Sequence, residues 1–142
     1  MSLEASGHTF LIQTLRSPYY FWTATGNSSG SKIEIQEHSF GSLQSWTLKK
    51  ISDSKFAIVC LTHGADFLAV TCNDEGKDYT LTTYDKASNS QQFSIDFTDS
   101  GAIFTDKNGK SASTSNSDFK SDDTIGSYDK DTKVWGTKHV YG

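Results

Sequence analysis

The 142 residues predict an all-β fold made of three four-stranded repeats, on three observations. First, 13% of the chain is aromatic while Pro and Met occur once each, a balance that suits many short strands. Second, one strand-ending signal recurs. Gln44-Ser45-Trp46 returns as Gln91-Gln92-Phe93, 47 residues on, and as Lys133-Val134-Trp135, 42 further. Spacing of two puts Gln44 and Trp46 on one face of a strand. Third, no apolar i, i+3, i+4, i+7 pattern persists over three turns, so no helix is expected.

The elements follow in order. His8-Thr9-Phe10-Leu11-Ile12-Gln13-Thr14-Leu15 is rich in strand formers, and Arg16-Ser17-Pro18 breaks it, because proline lacks an N–H and restricts its predecessor. Tyr19 to Thr25 reads as the second strand, and Gly26 to Gly30 as a loop. Lys32-Ile33-Glu34-Ile35-Gln36-Glu37 alternates as a half-buried strand does. Gln44 to Ile51 is the fourth. In the second repeat, Phe56–Leu61 stands 46 residues after Phe10–Leu15, and Phe67–Val70 stands 46 after Phe21–Ala24. Tyr79–Thr82 and Gln91–Ile95 complete it. The third repeat is the most polar. Ala102-Ile103-Phe104 leads into Asn108-Gly109, a two-residue hairpin signal in which both residues tolerate positive φ. Lys110–Ser115 is a weak strand, and Thr124–Lys130 carries a Tyr-Asp-Lys that repeats Tyr84-Asp85-Lys86 at a spacing of 44.

A period of 42 to 47 residues with four strands each suits propeller blades or one threefold barrel. Three units fall short of a propeller's minimum of about four blades. The expectation is a single β-trefoil domain over residues 1–142, with repeats of about 8–52, 53–99 and 100–142. Each repeat gives two strands to a six-stranded barrel and two to a hairpin cap. In that plan Trp46, Phe93 and Trp135 belong to the shared core. Gln44 and Gln91 are amides that satisfy backbone groups.

Composition narrows function. A net charge of −4 and a pI near 5.4 disfavour nucleic acid and anionic lipid. No apolar run approaches a membrane span of about 20 residues, so membrane insertion is not expected. Met1 to Gly7 has neither a basic region nor an apolar core, which predicts no secretory signal. A hairpin turning near Gly64 would set Cys60 opposite Leu68 and Cys72 opposite Phe56, beyond disulfide reach. Two reduced thiols and a cytoplasmic location are the reading.

Asp99 to Asp131 holds seven Asp, yet Asp106-Lys107-Asn108-Gly109 lacks alternating acidic ligands and lysines interrupt the rest. The stretch reads as a solvated acidic face. His8, His38, His63 and His139 have no metal-ligand spacing. Cys60 lies in an apolar strand, where thiols are inert. With no phosphate loop, nucleophile elbow or acid/base pair, the expectation is no enzyme, no catalytic residue, no metal and no cofactor.

The Gln-x-Trp signal and its phase resemble those of the ricin-B-type β-trefoil lectins over residues 8–140. Only Gln44-Ser45-Trp46 matches fully. Without a signal peptide or disulfides, the chain is most similar to the intracellular fungal lectins. The resemblance implies a non-enzymatic carbohydrate-binding protein whose partner is a mono- or oligosaccharide such as mannose, held in shallow loop sites. Two other readings stay open: a lectin-fold accessory subunit of another protein, such as the one found with mushroom tyrosinase, and a protease inhibitor that presents its loops.

The family's sugar residues carry over badly. An Asp in a Leu-Asp-Val setting is expected inside the second strand, where this chain has Leu68-Ala69-Val70, Trp22-Thr23-Ala24 and Ser111-Ala112-Ser113. The Asn before the Gln motif is replaced by Leu43, Ser90 and Thr132. The best remaining cluster is in the second repeat: Asp66, Asn73, Asp74, Tyr84, Asn89 and Gln91. It offers an aromatic face for sugar C–H groups and amides and carboxylates for hydroxyls. Asn73-Asp74-Glu75-Gly76 also has the composition of a plain turn. Tyr19, Tyr20 and Trp22 form a second aromatic group, either core or an exposed platform.

Overall fold

The computed structural model describes residues 9–39, 42–61, 67–116 and 118–140. Twelve strands alternate with turns: β1 (Thr9–Gln13), β2 (Phe21–Ala24), β3 (Ile33–Gln36), β4 (Trp46–Ser52), β5 (Lys55–Leu61), β6 (Phe67–Thr71), β7 (Thr80–Thr83), β8 (Ser94–Phe97), β9 (Ala102–Thr105), β10 (Ala112–Thr114), β11 (Ile125–Ser127) and β12 (Gly136–Val140). The described residues contain no α-helix.

The strands sort into a closed ring and three hairpins. β1 pairs antiparallel with both β12 and β4, and β4 pairs with β5. A bridge between Phe56 and Phe93 joins β5 to the start of β8, β8 pairs with β9, and a bridge between Ala102 and Trp135 joins β9 to the start of β12. That closes six strands into a barrel and removes its edges. The hairpins β2–β3, β6–β7 and β10–β11 form the cap. Bridges Lys32 to Thr80, Glu34 to Thr124 and Asp78 to Gly126 tie the hairpins to one another. The fold is a β-trefoil.

The core explains why this sequence selects it. Trp22, Trp46, Trp135, Tyr79, Phe93 and Phe104 are all fully buried. Trp22 meets Trp46 and Trp135 edge-on, at 6.1 and 5.5 Å between ring centroids, an arrangement that suits the ring quadrupoles. Trp46 Nε1 donates to the Trp22 carbonyl at 3.0 Å, and Trp135 Nε1 donates to the Ala112 carbonyl at 2.9 Å. Burying such rings removes roughly 150–250 Å² each from water, worth about 4–6 kcal/mol at 25 cal/mol/Å². Trp22 Nε1 alone is buried with no hydrogen-bond partner among the described residues.

Three sequence expectations change. The Gln and Trp of the repeat signal do not share a strand face. The chain makes 3₁₀ turns at Ser42–Gln44, Asn89–Gln91 and Asp131–Lys133, and β4, β8 and β12 start only at or after the aromatic. The turn lets Gln44 reach back: its Nε2 donates to Thr23 Oγ1 at 3.0 Å and to the Glu37 carbonyl at 2.6 Å, while its Oε1 accepts from Ser39 N–H. Gln91 does the same with Thr82 Oγ1, the Thr83 carbonyl and Asp85 N–H. In both amides the Nε2 donors are spent on the protein, and the buried Oε1 accepts from a backbone N–H.

Second, the repeat does not run at 46 throughout. Trp22 pairs with Ile35, Val70 with Leu81 and Ala112 with Ser127. The later members of these pairs are 46 apart, but the earlier ones are 48 and then 42 apart. Long and short loops on the two sides of each second strand compensate. The position paired with the first strand of each repeat is therefore Phe21, Ala69 and Ser111, which replaces the sequence alignment of Thr23, Ala69 and Ala112. No carboxylate stands at any of the three. The two Tyr-Asp-Lys stretches are likewise not equivalent: Tyr84 packs on Ala57, Val59 and Ala69, whereas Tyr128 donates to Asp78.

Third, only Gly109 of the Asn108-Gly109 pair takes positive φ, at 76°. Gly109 N–H donates to the Asp106 carbonyl and Asp106 N–H to the Lys110 carbonyl, so the turn is longer than two residues. The cysteine reading holds in part: Cys60 pairs with Leu68, but Phe56 pairs with Lys50 and Phe93 and not with Cys72, and both thiols are buried and unbonded to each other.

Candidate functional site

The six residues expected to gather around a sugar divide among separate places. Asp66 lies outside the described residues, as do His8 and His63. Asn73 and Asp74 sit at the tip of the β6–β7 hairpin, where Asn73 Nδ2 donates to the Asp78 carbonyl at 3.0 Å and to Thr80 Oγ1 at 3.2 Å. Lys77 N–H donates to the Asp74 carbonyl, and Gly76 takes φ of 79° to close the turn. Tyr84 is at the other end of β7, where its N–H donates to the Phe67 carbonyl. The four residues of β7 separate the two groups by roughly 13 Å of strand. Tyr84 is half-buried, with burial first and the charge of Asp85 second pushing its hydroxyl pKa upward. Asn89 is exposed on the adjoining 3₁₀ turn, and Gln91 is buried beneath it. The structure thus brings Tyr84, Asn89 and Gln91 into one region and sets Asn73 and Asp74 apart.

The equivalent surface of the first repeat is aromatic too: the Phe21 and His38 rings lie 5.0 Å apart. In the third repeat Ser111 occupies that position, next to a buried carboxylate. Asp106 accepts from Tyr79 Oη at 2.7 Å and from the backbone N–H groups of Asn108 and Lys110. Burial, then the charge of Asp106, pushes the Tyr79 hydroxyl pKa far upward. Cys60 is raised to about 11 by burial, and Cys72 to about 11 by burial and then Asp106. Such thiols stay protonated and unreactive near neutral pH. Among the described residues no group of three or more His, Cys, Asp or Glu side chains has the spacing to hold a metal ion.

A different concavity carries the mixture of groups that the sequence cluster was expected to supply. It is an open groove of about 270 Å³ lined by Arg16, Pro18, Tyr20, Asp118, Phe119 and Lys120. The aromatic trio of the sequence splits here: Trp22 enters the core, Tyr20 half-buries in the groove and Tyr19 is 50% exposed.

One wall is the β1–β2 loop, held by Thr14. Tyr20 N–H donates to Thr14 Oγ1 at 3.0 Å, and Thr14 N–H donates to the Tyr20 carbonyl at 2.9 Å. The other wall is the β10–β11 loop, the longest of the three cap loops. Asp123 organises it by accepting from Asn116 Nδ2 at 3.0 Å and Lys120 N–H at 3.1 Å. Backbone bonds from Ile35 N–H to the Asp123 carbonyl and from Asp122 N–H to the Ile35 carbonyl pin it to β3. Phe119 stacks edge-on against Trp135 at 5.6 Å, which couples the groove floor to the core. Sequence reasoning missed this site because its halves lie about a hundred residues apart in loops with no periodicity.

No protein-family model matches the chain, and no curated protein matches it. Solved structures do. The designed threefold-symmetric protein ThreeFoil superposes with a TM-score of 0.78 at 18% identity, covering 92% of this chain and 99% of that one. The C-half of an earthworm R-type lectin, solved with GalNAc, gives 0.71 at 14% identity over 94% and 99%. The BEL β-trefoil gives 0.72 at 14% identity over 98% and 97%. At these identities the likeness is one of fold.

Proposed function

We propose that this β-trefoil is a carbohydrate-binding, lectin-like protein and not an enzyme. The observation that carries the reading is the groove. Tyr20, Phe119 and Pro18 give apolar faces for the C–H side of a pyranose ring, and Asp118, Arg16 and Lys120 give acceptors and donors for its hydroxyls. An earthworm lectin of the same fold, solved with GalNAc, supports it by analogy. Tyr84, half-buried just after β7, and Asn89, exposed on the following 3₁₀ turn, offer a second aromatic and amide. Glycan-array binding with competition by free monosaccharide tests the reading. Saturable signal that free sugar removes is the expected result. A blank array would overturn it and turn attention to an interaction protein with no sugar site.

A further inference from the structure

We infer that the groove between the β1–β2 and β10–β11 loops takes an acidic saccharide, a pyranose carrying a carboxylate or sulfate. The inference rests on the carbohydrate reading and narrows it to one ligand class at one place.

The argument is charge and its pairing. The chain carries a net charge of −4, and Lys32, Lys50, Lys110 and Lys133 are each occupied by a carboxylate. Arg16 and Lys120 make no ion pair with any described residue, yet both line the same groove. Among the lining side chains these two cations outnumber Asp118, while Asp122 and Asp123 of the same loop are engaged by the Gln36 and Asn116 side chains. Arg16 offers a planar fork suited to bidentate carboxylate or sulfate binding, and Lys120 adds a point charge.

Asp118 repels a ligand's acid group but accepts from ring hydroxyls, so it sets orientation. Tyr20 and Phe119 supply the stacking face. Their half-burial against the core fixes their positions before binding, which lowers the ordering cost. The loop opposite β9 in the third repeat is the tight Asp106–Lys110 turn, and the cap loop of the second repeat is the short Asn73–Asp78 turn.

Isothermal titration tests this with named sugars: glucuronic acid and N-acetylneuraminic acid against neutral glucose and N-acetylgalactosamine. The acidic sugars should bind more tightly, with affinity falling as salt rises. Arg16→Glu and Lys120→Glu should each weaken acidic-sugar binding by about tenfold or more. Lys138→Glu, which makes the same charge change on β12, should leave it unchanged. Both groove positions are exposed, so folding survives, and circular dichroism confirms it for each variant. Binding of neutral sugars alone, or acidic-sugar binding untouched by the groove variants, would overturn the groove assignment while leaving the carbohydrate reading intact. Absence of binding to any sugar on array and in titration would overturn both.

Discussion

At the scale of single residues, Trp46 shows how packing and hydrogen bonding act together. Trp46→Ala empties a site bounded by Trp22 and the start of β1, and should cost about 3–5 kcal/mol in chemical denaturation. A loss under about 1 kcal/mol would show that Trp46 is not core. Phe93 already stands at the equivalent place, so Trp46→Phe should be milder. Its cost is the bond to the Trp22 carbonyl, about 1–3 kcal/mol if that acceptor stays buried and unpaired. Gln91 makes the complementary case. The sequence offered it both as a backbone-satisfying amide and as a ligand contact, and its bonds to Thr82, Thr83 and Asp85 use both ends of the amide. Gln91→Ala should therefore lower stability while a sugar-binding assay at equal folded concentration stays unchanged.

At the scale of elements, strands were legible and loops were not. Ile33-Glu34-Ile35-Gln36 alternates in sequence and buries every second residue as β3. The fully buried β10, Ala112-Ser113-Thr114, has no such alternation, because its hydroxyls are satisfied internally: Thr114 Oγ1 lies 2.7 Å from Thr132 Oγ1, and Lys130 N–H donates to Ser113 Oγ. The 48 and 42 residue spacings of the second strands were hidden because loop lengths on either side offset each other. The groove was hidden for another reason: Arg16 and Lys120 come from loops about a hundred residues apart that carry no periodicity.

The contact between cap hairpins gives a pH prediction. Asp78 accepts from Tyr128 and Thr124 and pairs with Lys32 at 3.0 Å. Burial alone would raise its pKa, but these hydrogen bonds and the Lys32 charge outweigh burial and hold the carboxyl below its ordinary value. Its folded pKa is depressed, so the stabilisation is present above the unfolded value of about 4 and lost as pH falls through the folded one. Wild type should lose more stability than Asp78→Asn between pH 5 and pH 2 by denaturant titration, where about pH 4 marks the onset. Equal acid sensitivity would show that Asp78 is not coupled to folding. Gly126 pairs with Asp78 across this contact, and a Cβ there would run into the Lys77 carbonyl and come within 2.7 Å of Asp78 Cα. Gly126→Ala should loosen the cap.

At the scale of the whole molecule, barrel closure ties the repeats into one cooperative unit. β1 and β12 come from opposite ends of the chain, and Trp22, Trp46 and Trp135 from the first and third repeats share one cluster. Unfolding should follow one transition by fluorescence and by circular dichroism. Tyr79 links the cap to the third-repeat turn through Asp106, with its folded pKa raised by burial and that charge. Stability should hold below the unfolded tyrosine value of about 10 and fall above it, by about 1.4 kcal/mol per pH unit for this group. Tyr79→Phe should flatten that alkaline limb.

The central claim, a β-trefoil that binds sugar in a groove sequence alone did not reveal, is tested most directly by titrating ¹⁵N-labelled protein with glucuronic acid, N-acetylneuraminic acid and N-acetylgalactosamine. Saturable shifts confined to the amides around Arg16, Tyr20, Phe119 and Lys120 are predicted. Spectra unchanged by every sugar would contradict the carbohydrate reading, and shifts confined to Tyr84 and Asn89 would move the site to the second repeat.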